Sequence, residues 1–162
     1  NIVNSYDELK CGLLYNASLV HPTVCLRTKT LKNNIIFYDE HFQYSQDYDM
    51  WFRMSQYGNI GIVPSLGLQY RIHNKQISVS KREQQIIFCQ EIITKNSLDK
   101  FSINKNEVVK NLMILNGINK LTEKNMKELA SFIDKLKNDK KLINEGYRYS
   151  DIKKTFNYRF LT

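Results

Sequence analysis

The stretch Gln46-Asp47-Tyr48-Asp49-Met50-Trp51-Phe52-Arg53 constrains the fold of this chain more than any other. It places two carboxylates, a tryptophan and an arginine within eight residues. Apolar side chains recur at Met50, Trp51, Met54 and Tyr57, which is helical spacing. Asp47 and Asp49 then fall in the first turn, where negative charge meets the positive end of the helix dipole. The pattern predicts a helix from about Gln46 that stops at Gly58. Asp49 and Arg53, at i and i+4, read as a structural pair on it. Asp47 sits where loop becomes helix, so its carboxylate can point into a cleft while the helix behind it stays rigid.

Around this helix the sequence reads as short strands. Leu13, Leu14 and Leu19 mark a short helix or turn within residues 6–20, and Pro22 biases His21 towards extended geometry. Val24, Cys25 and Leu26 suit a short buried strand, and Thr28 to Asn33 a single helical turn. Ile35 to Tyr44 is irregular and rich in aromatics. Most of these suit core plugs, and Tyr44, close to Asp47, is the one best placed for exposure. Ile60 to Val63 forms an apolar run ended by Pro64, and Gly67 to Ile72 forms a second. A helix followed by two short strands is the expected remnant of an α/β sheet.

From Ser80 the pattern turns helical. Ser80 and Glu83 have capping-box spacing, and Ile86, Ile87, Cys89, Gln90 and Ile93 follow on one side. Val108 to Leu115 gives a second helix, stopped by Gly117. Thr122 is the expected N-cap of a third, carrying Met126, Leu129, Ile133 and Leu136. Gly146 breaks it, and Ser150 is placed to cap a last helix through Phe160. The expected organisation is an α/β unit over residues 1–80 and a helical extension over 81–162.

Five pieces of the first half occur in a fixed order. They are His21-Pro22-Thr23 with Arg27, Tyr38-Asp39-Glu40, Gln46-Asp47-Tyr48-Asp49-Met50-Trp51 with Arg53, a strand ending near Pro64, and Tyr70-Arg71-Ile72-His73 with Ser78. In that order and spacing they resemble the second half of a family 2 glycosyltransferase of the GT-A fold, over about residues 15–80. The family carries Glu where this chain has Gln46, and the Asp that follows is kept as Asp47. The resemblance implies a partial GT-A half, the nucleotide-diphospho-sugar transferase fold, on the acceptor side of the enzyme. It implies inverting transfer of a sugar from a nucleotide-sugar donor to a glycan or lipid-linked acceptor in cell-envelope polysaccharide synthesis.

Inverting transfer needs one general base to take the acceptor hydroxyl's proton, and the resemblance assigns that role to Asp47. It sets Arg71 and His73 near the donor diphosphate or its metal. Alternation along a strand puts Gln69, Arg71 and His73 on one face, where a basic pair suits a diphosphate. His21 and Tyr44 fall on the acceptor side, and with them Trp51, which has a competing reading as core. Enzymes of this fold hold a divalent metal, Mg or Mn, through an Asp-x-Asp motif. No candidate for it precedes Asp47. The metal is therefore expected of the complete enzyme with no certain ligand in this chain, and the donor-binding half is expected to lie outside it.

The net charge of +8 is uneven. Residues 1–80 carry 7 basic and 6 acidic side chains, and residues 81–162 carry 17 and 10. A basic half suits an anionic partner or a solvated lysine face. The tail from Tyr147 to Phe160 mixes basic and aromatic residues, a combination that suits the lipid interface or an amphipathic helix packed on its own domain. Peripheral contact at the inner face of the cytoplasmic membrane fits the first of these. The competing function is a non-catalytic basic helical module binding anionic membrane or nucleic acid, although no nucleic-acid motif supports the latter. The three cysteines follow no CxxC or disulfide pattern, which suits a reducing cytoplasm. A sheet edge left open by a missing half would suit pairing with a second copy.

Overall fold

The computed structural model describes residues 5–161, and the side chains of residues 5–156. Its helices are α1 (Tyr6–Gly12), α2 (Thr28–Asn33), α3 (Gln46–Met54), α4 (Ile77–Ser80), α5 (Arg82–Ser97), α6 (Lys105–Asn116), α7 (Glu123–Leu136), α8 (Lys140–Asn144) and α9 (Tyr149–Leu161). Single 3₁₀ turns occupy His21–Thr23, Glu40–Phe42 and Leu98–Lys100.

The expected α/β class is overturned: among the described residues there is no strand and no sheet. Residues 24–26, 60–63 and 67–72 have the side-chain pattern of strands, but no neighbouring segment pairs with them. A β-ladder needs a partner backbone, and period-2 patterning alone does not supply one. Along residues 58–72 the chain runs without regular structure. It leaves Val63, Leu66, Leu68, Tyr70 and Ile72 exposed.

A single hydrophobic core draws side chains from both sides of residue 80. It runs from Cys11, Leu13 and Leu14 through Tyr48, Met50, Trp51 and Phe52 to Ile92, Ile93, Leu112, Leu115, Phe132, Ile152 and Phe156. α1 packs on α9, α3 on α5, and α6 on both α5 and α7. The polar hub of the fold is the chain leaving α1. A helix ends with carbonyls that its own turns cannot satisfy, and here three helices supply the donors. The Tyr48 hydroxyl of α3 donates to the Leu13 carbonyl at 3.0 Å. Ser97 Oγ of α5 donates to the Leu14 carbonyl at 2.8 Å, and Asn116 Nδ2 of α6 donates to the Tyr15 carbonyl. Tyr48 is fully buried, and that burial holds its phenol well above the ordinary tyrosine range, protonated and donating.

This hub makes the first prediction. Tyr48→Phe strips the buried Leu13 carbonyl of its hydroxyl donor at a cost of about 1–3 kcal/mol. For a chain of this size that lowers Tm by roughly 2–4 °C per kcal/mol. Thermal unfolding followed by circular dichroism reads it, and an unchanged Tm would remove the hub from the account.

Helix ends differ from the sequence expectation in places. α3 stops at Met54, short of Gly58, because Ser55 Oγ turns back to the Phe52 carbonyl at 2.6 Å and the chain leaves through Gln56 and Tyr57. Ser80 ends α4 instead of capping α5, its hydroxyl donating to the Gln76 carbonyl. Thr122 caps α7 in a capping box with Asn125. Gly117 closes α6 in the left-handed region at φ 87°, and Ile118 N–H returns to the Met113 carbonyl, a Schellman turn that glycine suits. α9 begins at Tyr149, one residue before Ser150. In the basic, aromatic tail, Tyr147, Ile152 and Phe156 are buried in the core. The side chains of residues 157–162 fall outside the described ones. Among the described residues no helix is long and apolar enough to cross a membrane.

Candidate functional site

The start of α3 collects the chemistry. Asp47 stands in the first turn, half-buried, with Oδ1 accepting the Tyr48 N–H at 2.9 Å. Trp51, one turn on at i+4, lies on the same side of the helix and is 1% exposed. Its indole N–H is buried without a hydrogen-bond partner. The His21 ring stands edge-on to Trp51, with centroids 5.8 Å apart. It also stands edge-on to Tyr38 at 5.7 Å, with its Nε2 2.9 Å from the Tyr38 hydroxyl. Burial and then the negative charge of Asp47 raise the Tyr38 phenol above its usual pKa. The Trp51, His21 and Tyr38 rings therefore form one connected cluster beside Asp47, and Asp47, His21 and Tyr38 make the surface over the buried Trp51. The same carboxylate acts on Cys89 of α5, whose thiol is pushed up chiefly by burial and further by Asp47.

Beneath this surface Asp49 is fully buried and bound on every side. Oδ2 accepts Arg53 Nε at 2.7 Å, and Oδ1 accepts Asn96 Nδ2 at 3.2 Å with Lys95 Nζ at 3.7 Å. Arg53 spends a second donor, Nη2, on the Phe37 carbonyl at 2.6 Å. The pair thus ties the backbone next to Tyr38 onto α3.

The other sequence candidates lie apart. Tyr44 packs against α5. Its ring tilts on Phe88 at 6.3 Å with Lys81 Nζ 5.7 Å from its centroid, and its carbonyl accepts Gln85 Nε2 at 2.9 Å. Arg71 and His73 are exposed on the unpaired segment. His73 donates its backbone N–H to Gln76 Oε1 at 3.3 Å. No contact brings either residue to Asp47 among the described residues. Tyr38, Lys95 and Asn96 were not singled out from sequence as site residues. For Tyr38 the available signal was its place in the ordered Tyr38-Asp39-Glu40 piece.

A divalent ion needs several oxygen or nitrogen ligands gathered at one place. Among the described residues no group of three or more His, Cys, Asp or Glu side chains gathers to hold one. Asp49, the second carboxylate of Asp47-Tyr48-Asp49, already has both oxygens bound to side chains. The cysteines are free, with Cys11 buried, Cys25 exposed and Cys89 between. Burial pushes the Cys11 thiol up to about 12. Two shallow surface grooves, of about 590 and 400 Å³, run elsewhere. The first lies between α6 and α7, walled by Lys110, Lys127, Glu128 and Lys135, and the second lies along α5 at Ile87 and Thr94. Neither takes a residue from the Asp47 surface.

No family model and no solved structure matches the chain. An uncharacterized glycosyltransferase of Methanocaldococcus jannaschii is 31% identical over 84 residues, which is 51% of this chain and 28% of that protein. The chain thus spans little more than a quarter of the length of the curated relative it matches. Over about half its length, the chain is similar to a glycosyltransferase, and a glycosyltransferase relationship is what the comparison supports.

Proposed function

We propose that this chain is the acceptor-side part of an inverting, family 2-like glycosyltransferase, with Asp47 as the general base. The observation that carries the reading is Asp47 itself. It is a carboxylate at a rigid helix start, partly open to solvent and flanked by His21, Tyr38 and Trp51, within motifs that occur in the order seen in such enzymes.

In the reaction Asp47 takes the proton of an acceptor hydroxyl. The freed oxygen bonds to the anomeric carbon from the face opposite the nucleotide. The bond from that carbon to the diphosphate oxygen breaks, and its electron pair leaves with the nucleoside diphosphate. The proton ends on Asp47 and the new glycosidic bond has inverted configuration. Asp49 contributes no proton transfer here, since it is buried and held by Arg53, Asn96 and Lys95.

The donor is a nucleotide sugar and the acceptor a glycan or lipid-linked glycan of the cell envelope. The match covers 28% of the relative's length, and the reading places donor binding on further polypeptide of the complete enzyme. Arg71 and His73, exposed on an unpaired segment, would reach the diphosphate only once that segment is docked. The test is Asp47→Asn in the full-length gene product, assayed for sugar transfer. Loss of transfer with the fold intact is expected, and an undiminished rate overturns the reading.

A further inference from the structure

The His21 ring is exposed, on a three-residue 3₁₀ turn with Pro22 and Thr23 that buries none of its residues. An exposed side chain on such a turn samples several rotamers unless something holds it. The hydrogen bond that holds it joins its Nε2 and the Tyr38 hydroxyl, 2.9 Å apart. Tyr38 is itself 40% exposed, but its backbone is fastened to α3 through Arg53 and the Phe37 carbonyl. Its phenol, raised in pKa by burial and by Asp47, stays protonated. The links close into a ring. Asp47 and Trp51 share one side of α3, the His21 ring stands on Trp51, Tyr38 holds His21, and the charge of Asp47 reaches back to Tyr38. No motif reading predicted that Tyr38 would join the ends of this loop.

We propose that Tyr38 is a positioning residue of the Asp47 site. Its hydroxyl fixes the His21 ring edge-on against Trp51, and the imidazole so held is the wall on which the acceptor's sugar ring rests beside the Asp47 carboxylate. This rests on the glycosyl-transfer reading and extends it to a specific acceptor contact. Trp51 is too buried to touch a ligand, and it serves as the backing that the imidazole leans on. An immobile wall spares the acceptor the cost of ordering it, so the benefit appears in acceptor affinity.

The experiment has two arms. In the chain alone, proton NMR of the His21 ring reads the ring current of Trp51. The His21 resonances are expected to move towards free-imidazole values in Tyr38→Phe. Unchanged resonances would show that Tyr38 does not hold the ring. In the full-length transferase, Tyr38→Phe is expected to raise the acceptor KM roughly three- to ten-fold, the loss of one hydrogen bond. The donor KM should stay as it is. Because Tyr38 acts through His21, Tyr38→Phe combined with His21→Ala should have the acceptor KM of His21→Ala alone. An unchanged acceptor KM, or additive effects in the double variant, overturns the assignment. If Asp47→Asn abolishes transfer while Tyr38→Phe leaves the acceptor KM intact, this inference fails and the transferase reading stands. If the full-length protein transfers no sugar at all, both fall.

Discussion

Arg53→Met is expected to destabilise the fold by about 3–5 kcal/mol, the usual cost of leaving one partner of a buried ion pair uncompensated. The asymmetry of the pair decides which partner matters more. The Asp49 side chain is 0% exposed, whereas Arg53 keeps 28% of its surface. Removing Arg53 strands a carboxylate with no access to water, leaving only Asn96 and the more distant Lys95. Removing Asp49 instead strands cations that can still be solvated, at the lower cost of about 1–3 kcal/mol. A double variant, Asp49→Leu with Arg53→Met, exchanges the pair for apolar volume and should be more stable than Arg53→Met alone. Urea denaturation of the four proteins closes the cycle. A double variant less stable than Arg53→Met would mean that the carboxylate is held by Asn96 and Lys95 and not by Arg53.

Asp47→Asn should lower the transfer rate of the full-length enzyme on the order of 10²–10⁴-fold, the range a positioned general base contributes. The amide has nearly the shape of the carboxylate. Its oxygen can still accept the Tyr48 N–H that Asp47 Oδ1 accepts at 2.9 Å. The structural penalty is confined to the loss of one charge at the start of α3, about 0.3–1 kcal/mol. Rate and stability should therefore separate: a rate lowered by orders of magnitude with Tm within a few degrees. Steady-state kinetics beside thermal unfolding measure both. A rate loss that merely tracks the loss of folded protein would reduce Asp47 to a helix-start residue.

What was legible in the sequence is local. Helical spacing located α3 and α7. Thr122 marked the start of α7, and Gly117 the end of α6, because capping and left-handed glycine act within a few residues. The i,i+4 spacing of Asp49 and Arg53 is a property of one helix and could be read there. What was not legible depends on partners far along the chain. The runs at 60–63 and 67–72 carry strand patterning, yet a ladder requires a neighbour that the pattern cannot name. The hydrogen bonds of Leu13, Leu14 and Tyr15 to Tyr48, Ser97 and Asn116 span 35 to 101 residues. Within the site, the sequence placed Asp47 beside His21 and Trp51 only through motif order. His21 meets Trp51 directly, and Tyr38, whose neighbourhood is set by the Arg53 bond to Phe37, bonds the His21 ring there. Tyr44 reads as the aromatic best placed for exposure because it is close to Asp47 in sequence. The ring faces α5 instead, where Phe88 and Lys81 meet it.

The most direct test of the central claim is the stereochemistry of transfer by the full-length gene product. The protein would be incubated with a panel of nucleotide sugars and with glycan and lipid extracts of its source cells, and the first-formed product analysed by proton NMR at the anomeric position. The account predicts nucleoside diphosphate release that requires acceptor, a product anomer opposite to that of the donor, and both lost in Asp47→Asn. A product that retains the donor's configuration, or transfer that proceeds undiminished without the Asp47 carboxylate, would contradict it.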